Sequence, residues 1–327
     1  DDPAARTRVY SRLRTNIDIL KLLIEYDASI VSKADKYGYT ALHLACSYGH
    51  LGVVKLLLDT DASNIEAVDH AGRTAFDYAA DGGQIDVVAF MLKRDDVDPF
   101  HISRRNYTPL LLAALTGKQD LIEMLMAVEG TDLSRATTGG RTLFTIAAAA
   151  GLEDLCRNLI ERGVADSTLP DSSGGYSPLH CATASNKAGV VELLLIQPGV
   201  DKNIRSHNGL TPLCFAVREE NAKSVMTLLA HHVDVDVPDN RERTPLLVAV
   251  QKGNQEIVRM LLNAGAKAQL NHAFDIALAK RDKEIVQLLR DSGAVEPDEG
   301  FGIEELMMEL VLAEEAQATA GAENVEE

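Results

Sequence analysis

The stretch Thr40–Leu58, TALHLACSYGHLGVVKLLL, returns in altered form at Thr74, Thr108, Thr142, Ser177, Thr211 and Thr244, with successive starts 34, 34, 34, 35, 34 and 33 residues apart. A shortened copy around Asn271–Leu289 follows 28 residues later, and a degenerate one ends in Ile17–Leu23. Self-similarity at a period of this length marks a chain built from one supersecondary unit stacked on copies of itself. This constrains the fold more tightly than any composition could.

The unit can be read physically. A Thr or Ser opens each copy as a helix N-cap, and Pro109, Pro178, Pro212 and Pro245 follow at the position where a missing N–H costs nothing. Apolar residues then recur at helical spacing for about two turns. A polar or Gly pair such as Tyr48-Gly49 or Gly82-Gly83 interrupts, and a second apolar stripe follows, as in Val53, Val54, Leu56, Leu57 and Leu58. Glycines suited to a left-handed C-cap come after it at Gly130, Gly163, Gly199, Gly265 and Gly293. Each unit is therefore two short antiparallel helices. Neither helix is long enough to stand alone, so stacking must supply the stability.

The pattern resembles the ankyrin repeat, whose Thr-Pro-Leu-His-x-Ala signature stands nearly whole in Thr40–Ala45 and Ser177–Ala182. The resemblance covers about residues 15 to 293. It implies an all-α solenoid of stacked helix-turn-helix units with β-hairpin finger loops. The expected organisation is a degenerate capping repeat over residues 1–34, then an array over 35–293 with a shortened last repeat from about 267. An acidic tail over 294–327 follows. The finger lead-in Asp-x-x-Gly-x-Thr is complete at Asp35 with Gly38 and at Asp69 with Gly72. Elsewhere Ser103, Thr137, Ser172 or Ser206 takes the Asp position, and Asn106 or Glu242 the Gly position. Glu tolerates positive φ poorly, so a distorted finger is expected before Thr244. The resemblance also implies that His43 and His180 tie a helix to the neighbouring finger.

Composition agrees with close helix packing: 46% of residues are hydrophobic, 5% aromatic, and Trp is absent. The net charge of −17 is concentrated at one end, because residues 291 to 327 hold twelve Asp or Glu and no Lys or Arg. The 49 acidic residues less those twelve leave 37 against 32 basic ones, a nearly balanced body. Such a chain is not expected to bind nucleic acid through a broad basic face. No stretch approaches the roughly 20 apolar residues of a membrane span. Cys46, Cys156, Cys181 and Cys214 lie far apart in apolar runs, which reads as buried reduced thiols in cytosol or nucleus. The start without Met reads as an excerpt from a longer protein.

In an array of near-identical units, function falls on what varies along one surface. The ankyrin resemblance places that surface on the finger tips and the exposed start of each first helix. The residue before the cap reads Tyr39, Arg73, Tyr107, Arg141, Tyr176, Leu210 and Arg243. Tyrosine and arginine are the residue types that most often carry interface energy, although both are common there in ankyrin repeats generally. Finger tips add Lys36-Tyr37, His70, Arg104-Arg105, His207 and Asn240-Arg241, with Arg218, Gln251 and Lys252 near the turns. Charged loops are often merely solvated, but a strip of one sign in a groove steers an acidic partner.

The remaining motifs point away from catalysis. His180-Cys181 are adjacent on a helix, point in different directions and have no orienting acid. His231-His232 sits at a helix end with no further ligand at metal spacing. No enzyme activity, metal or cofactor is expected. Asn203, with Leu195 eight residues before it and Asp201 two before, is similar to the pattern an asparagine hydroxylase recognises. In the tail, Ile303, Leu306, Met307, Leu310 and Val311 predict an amphipathic acidic helix at about 302–316. It would cap the array, dock in the basic groove, bind a partner or stay a free tail. The function expected is a protein-interaction scaffold gripping an extended or acidic segment. The alternative is a regulatory ankyrin region of a larger enzyme, channel or immune-type receptor.

Overall fold

The computed structural model describes residues 16–60, 64–166 and 168–295. The expected tail helix at 302–316 lies outside them. Among the described residues there are 17 α-helices, one short 3-10 helix and no strand. No helix among them is long and apolar enough to cross a membrane.

The helices fall into two compact units that divide between Ala165 and Asp166. The first unit opens with α1 (Asn16–Tyr26) and the 3-10 turn Ala28–Ser32. Four pairs follow: α2 and α3 (Ala41–Ser47, Leu51–Leu58), α4 and α5 (Ala75–Asp81, Ile85–Met91), α6 and α7 (Pro109–Thr116, Gln119–Met126), α8 and α9 (Leu143–Ala150, Glu153–Glu161). The second unit holds α10 and α11 (Pro178–Ala184, Ala188–Leu195), α12 and α13 (Pro212–Arg218, Ala222–Ala230), α14 and α15 (Pro245–Lys252, Gln255–Asn263), α16 and α17 (Leu270–Lys280, Lys283–Asp291). Within each unit, first helices stack on first helices and second helices line up behind them.

The reason is local. Thr74, Thr108, Thr142, Ser177, Thr211 and Thr244 each accept the N3 backbone N–H, the cap the sequence implies. First helices such as α6 and α8 are wrapped by neighbours and bury Leu110–Ala114 and Leu143–Ala148, whereas second helices bury one stripe, as with Leu121, Ile122 and Leu125. Cutting a fully buried Leu of this kind to Ala costs about 2–5 kcal/mol. Cys46, Cys156 and Cys214 are buried free thiols, and burial pushes Cys46 and Cys156 up to about 12. Cys181 departs from the expectation of buried thiols: it is only partly covered.

The fingers are tight turns rather than regular hairpins. In the first, Asp35 N–H bonds Tyr39 O at 2.9 Å and Gly38 N–H bonds Asp35 O at 3.0 Å. Gly38 has φ +90°, and a Cβ there would lie 2.9 Å from Asp69 Cα of the next finger, so only glycine fits.

Two fingers differ from the sequence reading. In the fourth-to-fifth connection the side chain that closes the turn is Asp171, not Ser172: its Oδ1 accepts Gly174 N–H at 3.0 Å and Tyr176 N–H at 2.9 Å. The 35-residue spacing inserts one residue inside the finger, which shifts the Asp one place back. The finger before Thr244 is not distorted. Glu242 takes φ +58°, and the turn still closes with Asp239 N–H to Arg243 O and Glu242 N–H to Asp239 O, both 3.0 Å. Asp239 over-determines it by accepting both Arg241 N–H and Arg243 N–H on Oδ1 and the Arg243 guanidinium on Oδ2. Before the last pair a single residue stands in for a finger. Gln269, at φ +60°, accepts Thr244 N–H and donates to Glu242 O at 2.6 Å.

Candidate functional site

Neighbouring finger tips are joined by one backbone bond each. In the first unit His70 N–H reaches Tyr37 O (3.0 Å), Arg104 N–H reaches Ala71 O (3.1 Å) and Thr138 N–H reaches Arg105 O (3.1 Å). These bonds fix the register, so Lys36, His70 and Arg104 occupy one row at equivalent places, all three exposed. In the second unit His207 N–H reaches Gly174 O (2.9 Å) and Asn240 N–H reaches Asn208 O (3.1 Å), with His207 and Arg241 exposed.

The column before the caps is less uniform than it looks in sequence. Arg73 Nη1 pairs with Asp81 at 2.9 Å, and Arg243 pairs with Asp239 at 2.7 Å. Both guanidiniums are engaged inside their own repeats. Arg104, Arg141 and Arg241 have no ion pair among the described residues. Tyr107 and Arg141 are half-buried, and Tyr37 is 53% exposed.

Tyr39 and Tyr176 bring a feature that the column alone does not reveal. Each sets its ring edge-on to an aromatic residue in the following first helix: Tyr39 to Tyr78 at 5.4 Å, Tyr176 to Phe215 at 5.2 Å. The signature histidine completes each cluster, His43 at 5.6 Å from Tyr78 and His180 at 6.1 Å from Phe215. The signal lay in the position four after the cap, where Tyr78 and Phe215 are the only aromatic residues in that column. In the first unit the Tyr78 hydroxyl donates to Asp69 at 2.6 Å and lies 3.1 Å from that of Tyr39. Burial and then the Asp69 bond push the Tyr78 phenol up. Burial works against the Asp69 carboxylate, but the hydrogen bonds from Tyr78, Arg73 and Ala71 outweigh it and hold its pKa down. In the second unit Arg218 covers Phe215 at 4.2 Å. Leu44 (49% exposed) and Tyr48 (70%), one helical turn apart, leave apolar surface uncovered on the first helix that follows Tyr37 and Tyr39.

The histidines are structural. His43 Nδ1 accepts Thr40 N–H at 3.1 Å while Nε2 reaches Arg73 O at 3.1 Å; His180 makes the same pair with Ser177 N–H and Leu210 O. That geometry requires a neutral ring with the proton on Nε2. Burial lowers both, His180 to about 4. Repeat two breaks the pattern. Asp77 stands at the histidine position and accepts Thr74 N–H at 2.8 Å, and His101 Nδ1 comes back from the next lead-in to meet its Oδ2 at 2.6 Å. His231 pairs with Glu192 at 2.9 Å. No cluster among the described residues could hold a metal ion. Asn203 spends its side-chain oxygen on Asp234 N–H at 3.0 Å, tying one loop to the next.

The stacked caps, paired helices and tip-linked fingers define a class of repeat solenoid, and comparison with known proteins agrees. The family model for ankyrin repeats (3 copies) matches residues 9–101, 110–206 and 184–272. The chain belongs to the ankyrin-repeat family, which is generally a non-enzymatic protein-interaction fold. It is similar to the transient receptor potential cation channel subfamily A member 1 of Homo sapiens, 33% identical over 114 residues, covering 33% of this chain and 10% of the channel. It is also similar to Rabankyrin-5 of Homo sapiens, 32% over 129 residues, covering 28% of this chain and 11% of that protein. A third relative is neurogenic locus notch homolog protein 1 of Mus musculus, 31% over 108 residues, 33% of this chain and 4% of that one. The chain thus spans about a tenth or less of the length of these relatives.

Proposed function

We propose that this chain is a protein-interaction scaffold whose finger face binds an extended acidic segment of a partner. The observation that carries the reading is the row Lys36, His70 and Arg104, exposed and held in register by tip-to-tip backbone bonds. Stacked helical units lie about 8–10 Å apart, and an extended chain in the polyproline conformation rises about 3.1 Å per residue with three residues per turn, which keeps every third side chain on one face. Carboxylates three residues apart therefore meet successive tips. Tyr37, Tyr39, Leu44 and Tyr48 offer apolar area alongside, and in the second unit His207 and Arg241 offer a shorter basic edge. The reading assigns the chain no catalysis and no cofactor. Its buried free thiols support a reducing compartment, cytosol or nucleus. Residues 294–327, acidic themselves, would compete for the row when docked.

The test is fluorescence anisotropy with a labelled nonapeptide of three Glu-Gly-Ser units, beside its Gln counterpart. Binding to the Glu peptide that weakens with salt, and is lost in His70→Glu/Arg104→Glu with helicity intact, supports the proposal. Equal binding of the Gln peptide, or no effect of the double variant, overturns it. A second reading, a regulatory ankyrin region within a larger polypeptide, is favoured by the relatives, in each of which the matched stretch is a small share of the chain. It is compatible with the first.

A further inference from the structure

Away from the finger tips, the first unit carries two clefts of about 250 and about 260 Å³ beneath successive lead-ins. They are one structural position used twice. Val68, Phe76, Met91 and His101 line the first, and Ile102, Leu110, Leu125 and Arg135 line the second, each residue 34 further on. The 34-residue spacing here is one longer than the usual ankyrin unit, and the extra residue falls between a helix cap and the next finger, where both clefts open. None of the tip or column residues lines either cleft, so this surface is separate from the one proposed above.

Apolar side chains stand uncovered at both: Val68 is 49% exposed, Phe100 39% and Ile102 43%. The charges differ. At the first cleft Asp96 is neutralised by a two-point contact with Arg94 at 2.8 and 2.6 Å, while Glu66 and Asp98 have no ion pair among the described residues. At the second, Asp132 and Arg135 pair with each other at 3.5 Å. The first cleft is therefore acidic and the second neutral.

Two equivalent clefts one repeat apart require a ligand with two equivalent side chains about 8–10 Å apart on one side. A flat β-strand fails, because its period of two turns residue i+3 to the opposite face. A polyproline helix fits, since three residues make a turn and a rise of about 9 Å. We propose that these clefts form a docking surface for a proline-rich segment in the left-handed polyproline conformation. Its apolar side chains at i and i+3 enter the two clefts, and a basic residue at the end over the first faces Glu66 and Asp98. Such segments enter with little conformational entropy left to lose, and aromatic walls such as Phe100 suit them.

The probe is fluorescein-labelled Arg-Pro-Leu-Pro-Pro-Leu-Pro-Arg, with a basic residue at both ends so that either direction is accommodated. Arg-Pro-Leu-Pro-Leu-Pro-Pro-Arg, of the same composition with leucines two apart, is the control. The first peptide is expected to bind at least about tenfold more tightly than the control. Val68→Asp and Ile102→Asp, at positions 49% and 43% exposed, are each expected to weaken it about tenfold with helicity intact, and Glu66→Lys severalfold. His70→Glu/Arg104→Glu is expected to leave it unchanged, which keeps this result independent of the acidic-peptide test. Equal binding of the two peptides, no saturation up to millimolar concentration, or loss only in the finger-tip variant overturns the proposal.

Discussion

The imidazole Nδ1 of His101 lies 2.6 Å from Oδ2 of Asp77, a carboxylate whose side chain is 0% exposed. The bond with Asp77 raises the His101 pKa above the ordinary imidazole value despite burial. Asp77 is an acceptor where the family places a ring with a donor, and it leaves Oδ1 buried without a hydrogen-bond partner among the described residues. His101 supplies the charge that makes the burial tolerable. Removing it by His101→Ala strands a buried carboxylate and is expected to cost about 3–5 kcal/mol in urea unfolding at pH 6. The pH dependence has a definite sign. A raised folded pKa gives stability that is complete below the unfolded value of about 6.5 and is lost as pH rises through the folded pKa. The gap between wild type and His101→Ala should therefore narrow as pH rises from about 6.5 through that folded pKa and level off above it.

His180 titrates the other way. Burial lowers it to about 4, so its contribution is complete above the unfolded value near 6.5 and disappears as pH falls from there through about 4. The difference is on the order of 3 kcal/mol. Unfolding of the second unit, followed by hydrogen exchange of the α10 and α12 amides, should become easier between pH 6.5 and 4. His180→Gln, which keeps a donor for Leu210 O without an ionisable ring, should flatten that slope. An unchanged slope in the variant would contradict the neutral-ring assignment.

Much of this architecture is legible in sequence because caps, prolines and apolar stripes act within one repeat. Thr108-Pro109 or Thr211-Pro212 means a helix start wherever it occurs. What was hidden depends on departures that answer each other across repeats. Asp77 in place of His, and a histidine two residues before Ser103, are each unremarkable; only contact 24 residues apart makes them a pair. Likewise Arg73 and Arg141 look alike in the column, yet Asp81 at the end of α4 engages one, and no acid does so for the other among the described residues. A fixed offset likewise puts Ser172 at the acid position of one finger, because a single inserted residue moves Asp171 out of phase.

That finger gives a direct stability test. Asp171 is 7% exposed and accepts two backbone N–H groups, whereas Ser172 is exposed. Asp171→Ala should cost about 1–3 kcal/mol and Ser172→Ala less than about 0.5 kcal/mol, measured by chemical denaturation. Equal costs would return the turn-closing role to Ser172.

Glu242 holds φ +58° without the glycine that other fingers place there, Gly38 at +90° and Gly72 at +72° among them. The left-handed conformation costs a non-glycine residue about 1–2 kcal/mol, and the extra unfolded-state freedom of glycine returns part of that. Glu242→Gly should therefore stabilise the second unit by about 0.5–1 kcal/mol, raising the urea midpoint without changing the slope.

The Arg73–Asp81 pair separates stability from recognition. Its side chains are 26% and 36% exposed, so solvent screens the interaction and its loss is expected to cost at most about 1 kcal/mol. The released guanidinium would stand in the column between Tyr39 and Tyr107, one residue from the cap that anchors its finger. If the finger face binds acidic segments, Asp81→Asn should leave the urea midpoint nearly unchanged while tightening binding of the Glu-Gly-Ser nonapeptide severalfold, most strongly at low salt. Arg73→Gln in the same background should cancel the gain, because the gain belongs to that one cation. A tightening that survives Arg73→Gln would mean that removing a negative charge from the face, rather than freeing Arg73, governs affinity.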